Sequence, residues 1–437
     1  MRTEIRNILM TPGVTDEPHI PFLRSAVIQI DGNRIVYAGR EAEAPAFEAD
    51  KTIDGKGALA MPGLCNMHTH TPMTLLRGVG SDLPLDRWLN EAVFPVERQL
   101  TDEAVGAGTD LGLMEMIRYG TTSFNDMYMH MEPMVQSVLN SGMRAMLGYS
   151  VVDFDESLKD TIPSVEFLDK WSRYPGGLLK CNVSPHSEGA TTPKAMRELL
   201  RESVAYDLPI HVHVSETKLD RDGSLERRGV TPPQYLEKLG VLERPVIAAH
   251  CVWFNDEDIQ LFAQRGVTIV HNPVSNLKLA SGVAPIAKML KAGCKVALGT
   301  DGVASNNNLN LWEEIKLMAI LHKGVDLDPT VVSPAQTIAA ATSVGAKALG
   351  FDDLGLLKPG YLADIILVDV HGANCCPNND LESDLVYAVQ GSDVTMTMVD
   401  GKVLYQDGVF TTLEPALVLS RAQKECEALM ERTRNNR

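Results

Sequence analysis

Short apolar runs at the two ends of the chain predict β-strands. Residues 26–30 and 34–38 flank an Asp-Gly-Asn tripeptide at 31–33, which offers the positive φ angles that a tight hairpin needs. A second strand-rich region begins near Gly355 and includes residues 363–368, 395–399 and 400–404. Because the two ends resemble each other, we expect one small β domain built from both termini. Residues 415–432 mix apolar and charged positions and predict an amphipathic surface helix.

In the middle of the chain, apolar runs alternate with helical patterns. Strands are predicted at residues 64–68, 121–125, 144–149, 178–183, 209–214, 246–250, 267–271 and 295–299. Helices are predicted at residues 101–119, 134–139, 193–204, 233–239, 256–264 and 285–292. Eight strands with helices between them are the count of a closed (β/α)8 barrel. We therefore predict an α/β fold, with a TIM-type barrel at 61–354 and a small β-sandwich domain formed from 1–60 and 355–437.

Net charge and composition exclude several classes of binding partner and of structure. The net charge of -17 and the lack of a Lys/Arg run argue against nucleic acid or an anionic membrane surface. The N-terminus lacks the apolar core of a signal peptide, and no apolar run approaches about 18 residues, so we expect no membrane span and a cytoplasmic location. Seven Cys without a C-x-x-C spacing predict neither a disulfide framework nor a zinc knuckle.

The candidate chemistry begins at His68 and His70. Two residues apart at a strand end, their imidazoles lie on one face and can converge on a metal. The spacing alone could also be accidental in a chain with 11 His. Catalytic groups of a barrel lie where its strands end. The predicted strands end at His68 and His70, Asn125 and Asp126, Ser150, His186, His213, His250, His271 and Asn272, and Asp301. So many His are hard to attribute to packing.

Several motifs resemble those of a known family. Residues 62–70, 213–216 and 299–302, together with His250, resemble the amidohydrolase superfamily. Residues 75–78, 82–89 and 271–282 look like its 5-methylthioadenosine/S-adenosylhomocysteine deaminase branch. The resemblance covers nearly the whole chain, and the superfamily's barrel and split β-sandwich match the predicted fold.

The resemblance implies a metal site. Three His nitrogens and a carboxylate suit Zn²⁺, with Fe²⁺ or Mn²⁺ as alternatives. The implied ligands are His68, His70, His213 and Asp301. We expect a single metal ion, because the fourth strand ends at His186 and carries Lys180 too early to be the bridging group of binuclear relatives. His211 lies two residues deeper than His213 and is interpreted as a structural residue of the barrel.

The resemblance also implies roles in catalysis. Glu216 would protonate the ring nitrogen beside the attacked carbon, and Asp301 would pass a proton from the attacking water to the leaving amine. His250 would orient that water and stabilise developing charge. An exposed loop carboxylate is the alternative interpretation of Glu216 taken alone.

The resemblance also implies which residues contact the substrate. Glu97 would accept hydrogen bonds from the ribose hydroxyls, His186 would contact the purine or ribose, and Trp88 would cover the sugar. Glu97 could instead be an exposed helix acid, His186 a structural histidine, and Trp88 a residue that only packs in a lid. Asn276 and Ser281 are interpreted as ordinary loop hydrogen bonders.

The implied function is hydrolytic deamination of an adenine nucleoside: 5′-methylthioadenosine, S-adenosylhomocysteine, 5′-deoxyadenosine or adenosine. Asp153, Asp155 and Glu156 after the third strand would repel the homocysteine carboxylate, which favours a neutral 5′ group. The alternatives are deamination of guanine, 8-oxoguanine or a pterin, triazine dechlorination, or an inactive barrel kept as a scaffold. A homo-oligomer is compatible with such a barrel.

Overall fold

The computed structural model describes residues 1–436, apart from the side chain of Asp86. Arg437, in the predicted C-terminal segment, and the Asp86 side chain of the 82–89 motif lie outside the described residues. The N-terminal strands are β1 (Arg2–Met10), β2 (Leu23–Asp31), β3 (Arg34–Arg40), β4 (Lys51–Asp54) and β5 (Leu59–Pro62). The predicted hairpin is confirmed, since β2 and β3 pair antiparallel around Gly32, whose φ is +63°. Asn33 does not share this positive φ.

Nine parallel segments form the eight strand positions of the barrel, because two segments share the fourth position. They are β6 (Leu64–Thr69), β7 (Thr121–Tyr128), β8 (Arg144–Val151), β9 (Leu179–Cys181), β10 (Ser184–Pro185), β11 (Ile210–Val214), β12 (Val246–His250), β13 (Thr268–His271) and β14 (Lys295–Leu298). The single strand predicted at 178–183 is wrong in detail, because it divides into β9 and β10. At Val183 the pairing with β8 is interrupted before it resumes in β10, and the Val183 amide donates instead to Pro209 O at 2.9 Å, just before β11.

Backbone hydrogen bonds close the barrel at both seams. The His213 amide of β11 donates to His186 O beside β10 at 3.0 Å. At the other seam the Asp301 amide, after β14, donates to His68 O of β6 at 2.8 Å. One seam places the ends of the fourth and fifth strands side by side, and the other does the same for the eighth and first strands. The predicted barrel is confirmed.

The terminal sheet joins the two ends of the chain. Its C-terminal strands are β15 (Ile365–Val368), β16 (Val394–Val399), β17 (Lys402–Gln406) and β18 (Val409–Phe410). β15 pairs antiparallel with β5, so strands from both termini share one nine-stranded sheet, as predicted. The strand predicted at 400–404 starts late, because Asp400 and Gly401, with φ of +52° and +74°, form the hairpin turn before β17.

Helices surround the barrel. They are α1 (Leu85–Arg87), α2 (Phe94–Glu97), α3 (Asp102–Arg118), α4 (Met131–Ser141), α5 (Thr161–Trp171), α6 (Pro193–Ala205), α7 (Lys218–Arg228), α8 (Pro232–Lys238), α9 (Asp256–Arg265), α10 (Pro273–Lys278), α11 (Ile286–Lys291), α12 (Val303–Asn306), α13 (Leu311–Asp326), α14 (Pro334–Ala341), α15 (Ser343–Ala348), α16 (Leu381–Tyr387) and α17 (Pro415–Asn435). The six predicted barrel helices are confirmed to within a few residues. The helices that were not predicted are α1, α2, α5, α7, α10, α12, α13, α14, α15 and α16. The predicted terminal helix is α17. No helix within residues 1–436 has both the length and the apolar character to cross a bilayer.

Local sequence signals explain the helix ends. Thr101 caps α3 by accepting a hydrogen bond from the Ala104 amide, and Gly120, with a φ of +84°, follows its last turn. The short helices α1 and α2 are joined by a π-helical segment, Trp88–Val93, in the connection between β6 and α3. This connection reaches across the end of the barrel where the strands finish.

Candidate metal centre and active site

The four predicted metal ligands meet where the barrel strands end. The Nε2 atoms of His70 and His213 are 3.4 Å apart. Asp301 Oδ1 lies 3.4 Å from His70 Nε2 and 3.5 Å from His68 Nε2. Within residues 1–436, two groups could hold a cation, namely His68, His70 and Asp301, and His68, His213 and His250. Since the two groups share His68, they describe one location.

Hydrogen bonds orient two of these histidines for a cation. His70 Nδ1 lies 2.7 Å from Met127 O, and His213 Nδ1 lies 2.6 Å from His186 O. A carbonyl only accepts, so each Nδ1 carries the proton and each Nε2 presents a lone pair. Two such lone pairs facing each other repel unless a cation lies between them. His68 Nε2 is likewise buried without a hydrogen-bond partner, so the donor set fits a metal ion.

His211 is not at a ligand position. Its Nε2 is 3.0 Å from His68 Nδ1, on the far side of the His68 ring from the candidate metal position. Its Nδ1 contacts the Asn125 amide at 3.0 Å. His211 is therefore a buried support behind His68, consistent with its structural interpretation.

Glu216 and His250 lie beside the cluster. Glu216 Oε2 is 3.7 Å from His250 Nε2. Burial raises the pKa of Glu216 to about 7, although His250 opposes the shift. Burial lowers the pKa of His250, but the charges of Glu216 and Asp301 outweigh it and the pKa is raised. His250 Nδ1 donates to Asn276 Oδ1 at 2.8 Å, which fixes the imidazole.

Asp301 is held as a carboxylate. Burial opposes its charge, but His68, His250 and His70 hold its pKa well below the usual range. Ser275 Oγ donates to Asp301 Oδ2 at 2.6 Å, and the Gly302 amide donates to Oδ1 at 2.6 Å. Its φ of +62° is unusual for a residue with a side chain, and His250 shares this conformation at +73°. Such strain is typical of functional sites.

The three predicted substrate contacts have different surroundings. The ring of His186 lies 4.6 Å from that of His213, centroid to centroid, and its Nδ1 is buried without a hydrogen-bond partner. Glu97 accepts a hydrogen bond from the Tyr128 hydroxyl at 2.7 Å. Trp88 is buried, and its Nε1 donates to Val79 O at 3.3 Å. The structure thus places His186 against a predicted ligand, while the roles of Glu97 and Trp88 toward a substrate stay predictions.

Some functional contacts were missed or undervalued in the sequence. Asn276 orients His250, and Ser281 Oγ lies 3.4 Å from Glu216 Oε1, although both were interpreted as ordinary loop residues. Ser275 and Tyr128 were not singled out at all. The available signal for Tyr128 was strand parity, since it lies two residues after Asp126, but β7 was predicted to end three residues earlier, at Asn125.

Known proteins share this sequence and architecture. Residues 59–404 match the model of the Amidohydrolase family. A 5-methylthioadenosine/S-adenosylhomocysteine deaminase of Dictyoglomus thermophilum is 42% identical over 394 residues, covering 90% of this chain and 92% of the relative. A 5′-deoxyadenosine deaminase of Methanocaldococcus jannaschii is 43% identical over 408 residues, covering 92% of this chain and 96% of the relative.

A solved structure agrees over almost the whole length. The crystal structure of an adenosine deaminase from Xanthomonas campestris with bound zinc superposes with a TM-score of 0.93 at 33% identity, covering 98% of each chain. The family match, the curated relatives and the fold all agree with the motifs around His68, His213 and Asp301. The chain belongs to the amidohydrolase family, in the branch of the 5-methylthioadenosine/S-adenosylhomocysteine deaminases.

Proposed function

We propose that this protein is a metal-dependent hydrolase that deaminates adenine nucleosides at C6, giving the inosine analogue and ammonia. The observation that carries the proposal is the largely buried Glu216, whose side chain is 15% exposed, beside His250 and the His/Asp cluster. Its pKa of about 7 leaves a substantial fraction protonated at neutral pH. A carboxylic acid at this place can donate a proton to a heteroaromatic nitrogen, which deamination of an adenine ring requires.

One divalent metal would be held by His68, His70, His213 and Asp301. Zinc is favoured by the N3O donor set and is bound in the similar adenosine deaminase structure. A single ion is favoured because both candidate ligand groups share His68. The metal would supply a Lewis acid that lowers the pKa of a coordinated water.

The residues of the chain then handle the protons. Glu216 donates its proton to N1 of the adenine ring, which makes C6 electrophilic. Asp301, held as a carboxylate, accepts a proton from the attacking water through Oδ1 or Oδ2. His250 donates a hydrogen bond to Asn276 through Nδ1, so its Nε2 is fixed toward Glu216 and the water. Asp301 returns the proton to the C6 amine, which leaves as ammonia. The C6 hydroxyl then gives its proton to Glu216, so that the C6 carbonyl of the inosine analogue forms and the acid is restored.

Substrate recognition would involve the sugar and its 5′ group. Glu97 would accept hydrogen bonds from the ribose hydroxyls, while His186 and Trp88 would contact the purine or sugar. Asp155 and Glu156 are exposed after β8, and the Thr192 hydroxyl donates to the neighbouring buried Asp153. This acidic segment supports a preference for a neutral 5′ group, as in methylthioadenosine, 5′-deoxyadenosine or adenosine.

The test is ammonia release by the zinc-loaded protein. We expect turnover of methylthioadenosine, 5′-deoxyadenosine and adenosine, weaker turnover of S-adenosylhomocysteine, and none of guanine or 8-oxoguanine. Glu97→Ala should reduce nucleoside turnover. Activity on a free base alone, unaffected by Glu97→Ala, would contradict the assignment, and a preference for S-adenosylhomocysteine would contradict the proposed 5′ selectivity.

A further inference from the structure

Tyr128 is a buried polar residue that the proposed chemistry does not use. It is the last residue of β7 and is 3% exposed. Its hydroxyl donates to Glu97 Oε1 at 2.7 Å. Its ring lies 6.3 Å from that of His70, centroid to centroid. Tyr128 therefore lies between a predicted metal ligand and the carboxylate predicted to bind ribose.

The hydrogen bond joins a barrel strand to the connection between β6 and α3. Tyr128 is anchored in a barrel strand and pairs in register with Tyr149 of β8. Glu97 ends α2, a helix of four residues in the connection that crosses the barrel end. A hydrogen bond to an ionised carboxylate is about twice as strong as a neutral one. Tyr128 thereby ties the Glu97 carboxylate to the same wall that carries the cluster.

The bond also determines which acceptor sites of Glu97 are free. A carboxylate offers about four lone-pair positions on two oxygens. Tyr128 occupies one on Oε1, and no described residue hydrogen-bonds Oε2. Two adjacent hydroxyl donors, such as a vicinal diol, match the acceptor positions that are left.

We propose that Tyr128 is a positioning residue for ribose recognition, which holds the Glu97 carboxylate at a set distance from the metal ligands so that it binds an intact 2′,3′-diol. This rests on the proposed function, in which Glu97 contacts the ribose. Tyr128 thereby favours ribonucleosides over sugars that lack the diol. It acts through Glu97 and touches no reacting atom.

The test is Tyr128→Phe in the zinc-loaded enzyme, assayed with adenosine and with 2′,3′-dideoxyadenosine. We expect KM for adenosine to rise about tenfold, the effect of losing one hydrogen bond to a charged group, with kcat changed less than about twofold. Kinetics on the dideoxy substrate should stay as in the wild type. An equal loss on both substrates would mean general damage to the site and would overturn the proposal.

Two further variants complete the design. Glu97→Ala and the double variant with Tyr128→Phe should show the same KM for adenosine, because Tyr128 acts only through Glu97 and Ala offers the Tyr128 hydroxyl no acceptor. Additive effects would overturn the proposal. Tyr206→Phe is the matched control, since the Tyr206 hydroxyl also donates to a carboxylate, that of Asp169, but on the outer surface. It should leave both substrates unaffected, and a shift there equal to that of Tyr128→Phe would overturn the proposal.

The outcomes separate the two proposals. If the wild type releases no ammonia from any nucleoside, the proposed function fails. If the wild type is active and Glu97→Ala raises the KM for adenosine, while Tyr128→Phe leaves it unchanged, only the role of Tyr128 fails.

Discussion

The two ends of the barrel both bury titratable side chains, but these side chains are paired with one another at one end and keep unpaired nitrogens at the other. Where the strands begin, Arg144 of β8 is 1% exposed and donates through Nε and Nη2 to the two oxygens of Asp364, at 3.0 Å each. Burial alone would lower the pKa of Arg144. The neighbouring Asp364 and Asp400 outweigh burial, so the pKa is raised. Where the strands finish, His68 Nε2 and His186 Nδ1 are buried without partners.

The comparison shows how one fold separates stability from function. The paired end joins the barrel to the terminal sheet, since the Asp364 backbone carbonyl also accepts from the Gly63 amide at 3.1 Å. The end where the strands finish keeps nitrogen lone pairs that a ligand can use. Its backbone strain costs about 1–3 kcal/mol of stability for each strained residue. Substitutions at the first end should therefore change stability, and those at the second should change activity.

The largest expected effect is on turnover. Glu216→Gln keeps the shape of the side chain but removes the donated proton, so kcat should fall by about 10²- to 10⁴-fold. Zinc content and the urea midpoint should stay close to those of the wild type, because Glu216 is not a predicted ligand. Turnover near the wild-type rate would remove Glu216 from proton transfer.

The end of the barrel where the strands begin is tested by Arg144→Met. Removing one partner of a buried pair leaves Asp364 uncompensated, and we expect a loss of about 3–5 kcal/mol in the free energy of unfolding by urea. The activity of the folded fraction should not change. Lys56→Met is the control, because the exposed Lys56 and Asp407 form a surface pair whose removal should leave stability unaffected. A comparable loss in both variants would contradict the comparison.

A smaller effect is expected at the seam that carries His68. A Cβ added to Gly299 would lie 2.5 Å from Asn272 Oδ1 and 2.8 Å from the His68 amide nitrogen. Gly299→Ala should weaken zinc binding about 10- to 100-fold in a chelator competition and destabilise the fold by about 1–3 kcal/mol. Gly324→Ala, in α13 with open space around it, should leave zinc affinity unchanged. Wild-type zinc affinity in Gly299→Ala would contradict the seam geometry.

The smallest effect concerns pH. Glu314 supports the loops of the site, accepting from the Val274 amide at 3.2 Å and from Asn306 Nδ2 at 2.6 Å. Burial raises its pKa to about 8. The unfolded chain loses this proton near pH 4.3 and the folded chain near pH 8, so the stability it contributes is complete below the first value and is lost as the pH rises to the second.

Glu314→Gln removes this titration. Measured by urea unfolding between pH 5.5 and 7.5, the stability advantage of the wild type over the variant should shrink by on the order of 1 kcal/mol per pH unit. The stability difference between wild type and the surface variant Lys56→Met should stay constant over the same range. A pH-independent difference for Glu314→Gln would show that the carboxyl titrates normally.

Much of this fold could be predicted from the sequence because its local signals agree. Gly32, Thr101 and Gly120 each mark an element end through ordinary turn or capping chemistry. The division of β9 from β10 could not be predicted, since it depends on Val183 changing its pairing partner from β8 to the start of β11. Helix α7 was missed because its residues are nearly all polar, so periodicity gives little signal.

The site was predictable where residues follow strand ends and not where they act from the side. His68, His70, His213 and Asp301 come together because barrel strands finish at one end. Ser275 and Asn276 reach Asp301 and His250 from α10, and Glu97 reaches Tyr128 at the end of β7 from the connection after β6. These contacts depend on how helices and loops fold over the barrel, which no local pattern fixes.

The most direct measurement is ammonia release from methylthioadenosine as zinc is added back to metal-stripped protein. The account predicts that the rate rises linearly and levels off at one zinc per chain. A plateau at two zinc ions per chain, or no ammonia at any zinc content, would contradict it.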